Sequence, residues 1–214
     1  MKTVGAFDLD GVLANSLGHH YETAICGVLK SLGLPLVTFD YVRLTCHPPF
    51  EVWWEQQGVK LPTTELWTQY HRHMENKVPD LMPGTLDFCR RCQAKGINLV
   101  LVTASSNTAT KILEKYSELQ KMFDETFLGA QDKVSTLLSL PQRFNVSPSE
   151  IVMVGDMRSD ILDARRAGVD AVGFNHPYPE CSADVLAEVK KSLFDAGACH
   201  VCASMEDLCD YFGI

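Results

Sequence analysis

The chain has 214 residues, 46% hydrophobic and 21% charged, the balance of a folded globular protein rather than a disordered or fibrous one. Its formal charge of -8 disfavours nucleic acid and anionic membrane as partners. No apolar run approaches the roughly 18 residues of a membrane span, and the first residues run straight into a strand pattern without a signal peptide, so the expectation is a soluble, cytoplasmic protein.

Val4-Gly5-Ala6-Phe7 reads as a short buried strand. It ends on Asp8-Leu9-Asp10-Gly11, with two aspartates at i and i+2 and a glycine where the chain must turn. Extended backbone puts both carboxylates on one side. Held together there they repel, which raises at least one pKa unless a cation or a shared proton intervenes. Turns favour Asp and Gly in any case, so two solvated turn residues are the competing reading.

The pattern then turns helical. Residues 19–32 form a predicted helix stopped by Gly33, and Thr38 caps a short helix. Residues 45–49 carry Pro48 and Pro49 and read as a loop. Residues 50–58 and 65–76 are again helical, the second capped by Thr64. From Pro83-Gly84 strands and helices alternate. Helix 85–95 precedes strand 97–103, helix 107–116 a short strand at 125–128, and helix 133–144 is expected to break or kink at Pro141. Strand 151–154, helix 160–167 and strand 169–174 follow, then the loop His176-Pro177-Tyr178-Pro179. Helix 183–196, strand 199–203 and a closing helix capped by Ser204 end the chain. Near-continuous apolar strands between helices predict an α/β fold with a parallel sheet covered on both faces. The expected domains are a core of residues 1–14 and 83–214 and an inserted all-helical domain of residues 15–82, hinged at 14–18 and 80–84.

The eight cysteines include two C-x-x-C pairs, Cys89/Cys92 and Cys199/Cys202. One sits in a helical pattern and the other in a strand pattern, without the turns of a zinc ribbon. They read as reduced thiols.

Ligands of open α/β sheets bind at the carboxyl ends of the strands. There the sequence places Asp8 and Asp10, Thr103, and Gly155-Asp156, with Lys133 opening a helix on the same edge and Asp160 one helical turn past Asp156. Several carboxylates without a local histidine suit a hard cation, Mg2+ by default. A hydroxyl, a lysine and free backbone N–H groups suit a phosphoryl group, and a carboxylate beside a second carboxyl suits a nucleophile with an acid/base partner.

Asp8-Leu9-Asp10-Gly11-Val12-Leu13, Val102-Thr103, Lys133 and Gly155-Asp156-Met157-Arg158-Ser159-Asp160 resemble the four motifs of the haloacid dehalogenase superfamily, in order, across essentially the whole chain. The helical insertion resembles that superfamily's type-one cap, and the whole looks most like the phosphoglycolate phosphatase and β-phosphoglucomutase branch. The resemblance implies a Rossmann-like catalytic core under a helical cap. It implies that Asp8 attacks phosphorus and that Asp10 protonates the leaving oxygen and later deprotonates water. It assigns Mg2+ to Asp8, the Asp10 carbonyl and Asp156, the phosphoryl oxygens to Thr103 and Lys133, and an orienting role to Asp160. The implied activity is a Mg2+-dependent phosphatase acting on a small phosphorylated metabolite through an aspartyl-phosphate. The alternatives are a phosphomutase of the β-phosphoglucomutase type and a non-catalytic phospholigand-binding protein. A monomer or homodimer is expected. An aspartate at position 10 argues against dehalogenation, because a leaving oxygen needs a proton and a halide does not.

Val134 departs from the family pattern, where a proline often follows the lysine. His19 and His20 read as exposed helix residues, His71 and His73 as solvated ones, and at least one of Trp53 and Trp54 as core of the helical domain. Arg43 and His47 flank the 45–49 loop, read as the cap's contact with substrate. Residues 180–196, with the 176–179 loop, either shape the entrance or only pack against the sheet, and packing is the favoured reading.

Overall fold

The computed structural model describes residues 2–74 and 77–214. Strand β1 (Val4–Phe7) is followed by a helical run of α1 (Leu17–His19), a π-helical turn (His20–Ile25) and α2 (Cys26–Ser31). Helices α3 (Phe39–Thr45), α4 (Phe50–Gln56) and α5 (Thr63–Met74) complete a helical block. The chain then alternates through α6 (Thr85–Ala94), β2 (Asn98–Thr103), α7 (Asn107–Lys115), α8 (Ser117–Gln120), β3 (Glu125–Leu128) and α9 (Lys133–Phe144). A 3-10 turn (Pro148–Glu150), β4 (Ile151–Gly155), α10 (Arg158–Arg166), β5 (Asp170–Phe174), α11 (Ala183–Asp195), β6 (His200–Cys202) and α12 (Met205–Phe212) close it. Among the described residues the strands form one parallel sheet, ordered β3-β2-β1-β4-β5-β6.

The apolar runs of the central strands are explained by cover on both faces. Phe7, Leu99, Leu101, Val152 and Val154 face a core shared with α6, α7, α8 and α12. Val4, Ala6, Val100, Val102, Ile151 and Met153 face a second core, with α9, α10 and α11. Side-chain alternation along each strand thus feeds both layers of a Rossmann-like sandwich.

The helical block has an apolar core of its own, in which Ile25, Val28, Leu29, Leu66 and both Trp53 and Trp54 are buried. It joins the sheet through a two-stranded neck. Asn15 N–H donates to the Asp80 carbonyl and Met82 N–H to the Leu13 carbonyl, each at 2.8 Å, around a bridge between Ala14 and Leu81. Both expected junctions therefore lie side by side. Among the described residues no helix is long and apolar enough to cross a membrane.

Several local expectations need correction. Helix α9 runs unbroken through Pro141. The ring lies in the last turn, where its missing N–H removes a single bond near the helix end. The turn closes on Asn145, whose left-handed backbone lets its own N–H and that of Val146 reach the Pro141 carbonyl. Thr64 is not a cap, because α5 begins at Thr63. Thr38 does cap α3, its side chain accepting from Tyr41 N–H at 3.1 Å. Residues 75–76 of the predicted helix lie outside the described residues. Helix α11 packs on the sheet as expected, through Val185, Val189 and Leu193. Its start also meets the helical block, where Ser182 N–H donates to Asp40 Oδ1 at 2.9 Å.

Candidate active site

Parallel strands deliver their carboxyl ends to one edge. Asp8 follows β1 and Asp156 follows β4, its paired neighbour, with Asp8 N–H donating to the Val154 carbonyl at 2.9 Å. Two glycines permit the approach. Gly11 has φ +74°, and a Cβ there would stand 2.7 Å from Asp156 Oδ2. A Cβ on Gly155 would stand 2.2 Å from the Asp160 Cβ, so only glycine lets the start of α10 fold back against β4.

Carboxylate oxygens of Asp8, Asp156 and Asp160, all three buried, lie within 4.8 Å of one another. The buried Lys133 lies among them, 2.9 Å from Asp8 Oδ2 and hydrogen-bonded to Asp160 Oδ1 at 2.7 Å. Leu9 N–H donates to Asp8 Oδ1 at 2.8 Å, and Met157 N–H donates to Asp160 Oδ2 at 3.1 Å. Asp160 thus holds the lysine and the loop after β4 in place. Burial pushes the Asp8 carboxyl up to about 6 against the pull of Lys133. Burial likewise pushes Asp156 up to about 7 against the pull of Arg43, with Asp160 and Asp8 adding to the rise. Lys133 is held charged: burial opposes its ammonium, but Asp160 and Asp8 outweigh burial and raise its pKa.

Asp10 stands apart from this trio. Its Oδ1 is 3.2 Å from His20 Nε2, and His20 Nδ1 is 2.6 Å from the Tyr70 hydroxyl. The neutral ring protonated on Nε2 satisfies every partner, donating to Asp10 and accepting from Tyr70. Burial alone would raise Asp10, but the hydrogen bond from His20 holds it below the ordinary carboxylate value. Reading His20 as an exposed helix residue is therefore wrong. The neck turns the π-helical segment back over the strand end and leaves the ring half-buried on Asp10. His71 is exposed as expected, whereas His73 packs over Gly27.

The helical block supplies a second visitor. Arg43 of α3 reaches across to donate from Nη1 to Asp156 Oδ2 at 3.0 Å, and from Nη2 to Asn175 Oδ1 at 3.5 Å. Its side chain is 8% exposed and that of Asp156 3%. Tyr178, in the loop after β5, packs edge-on against Phe39 of α3 with ring centroids 5.6 Å apart, and burial raises its pKa, with Asp156 adding to the rise and Arg43 opposing it. Of the two residues flanking the 45–49 loop, only Arg43 enters the site. His47 stays exposed, its Nε2 3.0 Å from the Leu44 carbonyl. Thr103 is buried at the end of β2, two residues past the Phe7–Leu101 register pair, and its Oγ1 accepts from Ser105 N–H at 3.2 Å. Its own proton is left to donate. Lys133 takes its place without the proline that Val134 replaces.

A divalent cation fits this donor set. Among the described residues, Lys133 pairs with Asp8 and Asp160 and Arg43 pairs with Asp156; burial, with a smaller push from the neighbouring carboxylates, still holds the pKa values of Asp8 and Asp156 up. Hard oxygen donors without cysteine suit Mg2+. Among the described residues no other group of His, Cys, Asp and Glu lies close enough to share an ion. All eight cysteines are free thiols.

Sequence reasoning missed Tyr70 and Asn175, and it named the loop of Tyr178 while favouring packing over a place at the entrance. Asn175 follows β5, so the strand-end rule that found Asp156 would have found it. Tyr70 lies on a helix whose partner is fixed only by the fold, and nothing local marks it.

The family model of the haloacid dehalogenase-like hydrolases matches residues 6–174. A phosphoglycolate phosphatase of Vibrio vulnificus is 25% identical, over 86% of this chain and 92% of its own length. One of Mannheimia succiniciproducens is 28% identical, over 83% and 87%. A solved haloacid dehalogenase-like hydrolase of Streptococcus pneumoniae superposes with a TM-score of 0.77 at 20% identity, covering 99% of this chain and 98% of that one. The chain belongs to the haloacid dehalogenase-like hydrolases.

Proposed function

We propose that the protein is a Mg2+-dependent phosphatase that hydrolyses a small phosphomonoester through a phosphoryl group carried on Asp8. The observation that carries this reading is the convergence of Asp8, Asp156 and Asp160 around Lys133 at the sheet edge, with Asp10 held separately beside them. The relatives named as phosphoglycolate phosphatases support the reaction class.

The residues divide the work. A carboxylate oxygen of Asp8 forms a bond to phosphorus as the bond to the ester oxygen breaks, and Asp10 supplies the proton that oxygen needs. Asp10 then takes a proton from the water that attacks the phosphoryl-aspartate, releasing phosphate and restoring Asp8. Lys133 faces the added negative charge, and Thr103 donates its free proton to a phosphoryl oxygen. Asp8, the Asp10 carbonyl and Asp156 would hold Mg2+, which when bound would supply positive charge between the carboxylate and the phosphate. Asp10 is ionised while His20 holds it, which suits the base it must be in the second half-reaction. An incoming phosphoryl dianion raises its pKa and favours the proton needed in the first. The helical block is the cap, and its swing about the neck admits substrate and excludes water.

The whole chain should hydrolyse p-nitrophenyl phosphate with Mg2+ and stop on chelation, and Asp8→Asn should leave no measurable turnover. Chelator-resistant activity, or activity in that variant, would refute the reading. His20→Ala should lower kcat by roughly tenfold or more with little change in KM, because general acid–base catalysis supplies about 100-fold or more and His20 acts through Asp10. An unchanged kcat would remove His20 from the account.

Protons and the ion compete for Asp8 and Asp156, so their raised pKa values of about 6 and about 7 set the window. Both groups are ionised above about pH 8, and each binds a proton as pH falls through its pKa. Mg2+ affinity measured by calorimetry should therefore be flat above about pH 8 and fall by about tenfold or more per unit below about pH 6. Affinity independent of pH down to 5 would contradict the assignment of both carboxylates.

A further inference from the structure

Arg43 is a resident of the helical block, yet its guanidinium is buried against a carboxylate of the sheet edge 113 positions away in sequence. The contact is incomplete. Arg43 Nε and the Tyr178 hydroxyl are both buried without a hydrogen-bond partner among the described residues. Leaving such groups unpaired is costly, so this is a resting contact rather than a fully satisfied interface. The carboxylate it engages, Asp156, is also a member of the trio whose oxygens converge within 4.8 Å.

We propose that Arg43 is an internal counter-cation that competes with the divalent ion for Asp156, so that metal binding releases the latch between α3 and the sheet edge. This rests on the reading of Asp156 as a metal ligand. A guanidinium and a divalent ion on one buried carboxylate repel each other strongly in a low-dielectric site. The two contacts are therefore antagonistic, and the coupling is reciprocal: whatever the ion takes from the latch, the latch takes from the affinity for the ion. A buried guanidinium that has lost its carboxylate is unstable where it stands. Closure over a metal-loaded site then requires Arg43 to find a different anion, which makes ion first and anionic substrate second the favoured order. Asp40, which accepts from Ser182 N–H, also ties α3 to the core and is untouched by the exchange.

The test uses the whole chain, at mildly alkaline pH, as wild type, Arg43→Gln and Arg43→Lys. Charge-assisted hydrogen bonds to a carboxylate correspond to roughly one to two decades of affinity, so Arg43→Gln should bind Mg2+ about tenfold tighter by calorimetry or more, with Arg43→Lys between it and wild type. Hydrogen exchange gives a readout that needs no variant: Mg2+ should speed amide exchange across residues 39–45 of the wild type. Equal or weaker Mg2+ binding by a folded Arg43→Gln protein would overturn the proposal, as would wild-type exchange in α3 that Mg2+ leaves unchanged or slows. Asp156→Asn separates the two readings. If it abolishes Mg2+ binding while Arg43→Gln has no effect, only the latch fails. If it binds Mg2+ as well as wild type does, the metal site itself is wrong, and the latch with it.

Discussion

Mutual repulsion among carboxylates is the constraint around which this molecule is arranged. Asp8, Asp156 and Asp160 are buried within 4.8 Å of one another, with Asp10 close by, and water cannot screen them there. Such a cluster persists only if cations are built in. Lys133 is one, fixed by Asp8 and Asp160 at the first turn of α9. Arg43 is the other, brought over by the helical block. Burial raises the pKa values of Asp8 and Asp156 despite these cations, and the neighbouring carboxylates add to the rise.

The fold serves this cluster through topology more than through local structure. A parallel order with β1 at its centre puts the ends of β2, β1, β4 and β5 beside one another. Thr103, Asp8, Asp156 and Asn175 each follow or end one of those strands. The helical block, inserted directly after β1, cannot lie anywhere but over that edge, because its paired neck returns the chain to where it left. The same short segment that carries Asp8 and Asp10 therefore also carries His20, which closes back on Asp10.

What could be read from sequence divides along this line. Asp8 at a strand end, Asp160 one turn past Asp156, and Lys133 opening a helix follow from backbone periodicity and lie where it predicts, whereas Asp10 turns away from the trio to His20. Residues whose role comes from one element packing on another were harder. His20 was visible but read as exposed, since amphipathic spacing cannot say that a helix folds back on its own strand. Arg43 was singled out by its neighbourhood to a loop, yet its partner Asp156 could not be inferred, because no local pattern links α3 to the end of β4. The break expected at Pro141 failed for the opposite reason. A local rule was applied where position in the last turn of α9 makes the loss small.

The claim on which all of this depends is that the crowded carboxylate of Asp8 accepts phosphorus. The most direct measurement is mass spectrometry of the protein quenched in acid during turnover of a phosphomonoester with Mg2+, followed by peptide mapping. The account predicts a transient phosphoryl group on the peptide that spans β1 and its following turn, located on Asp8. Turnover with that group on another residue, or with none on Asp8 at any quench time, would contradict it.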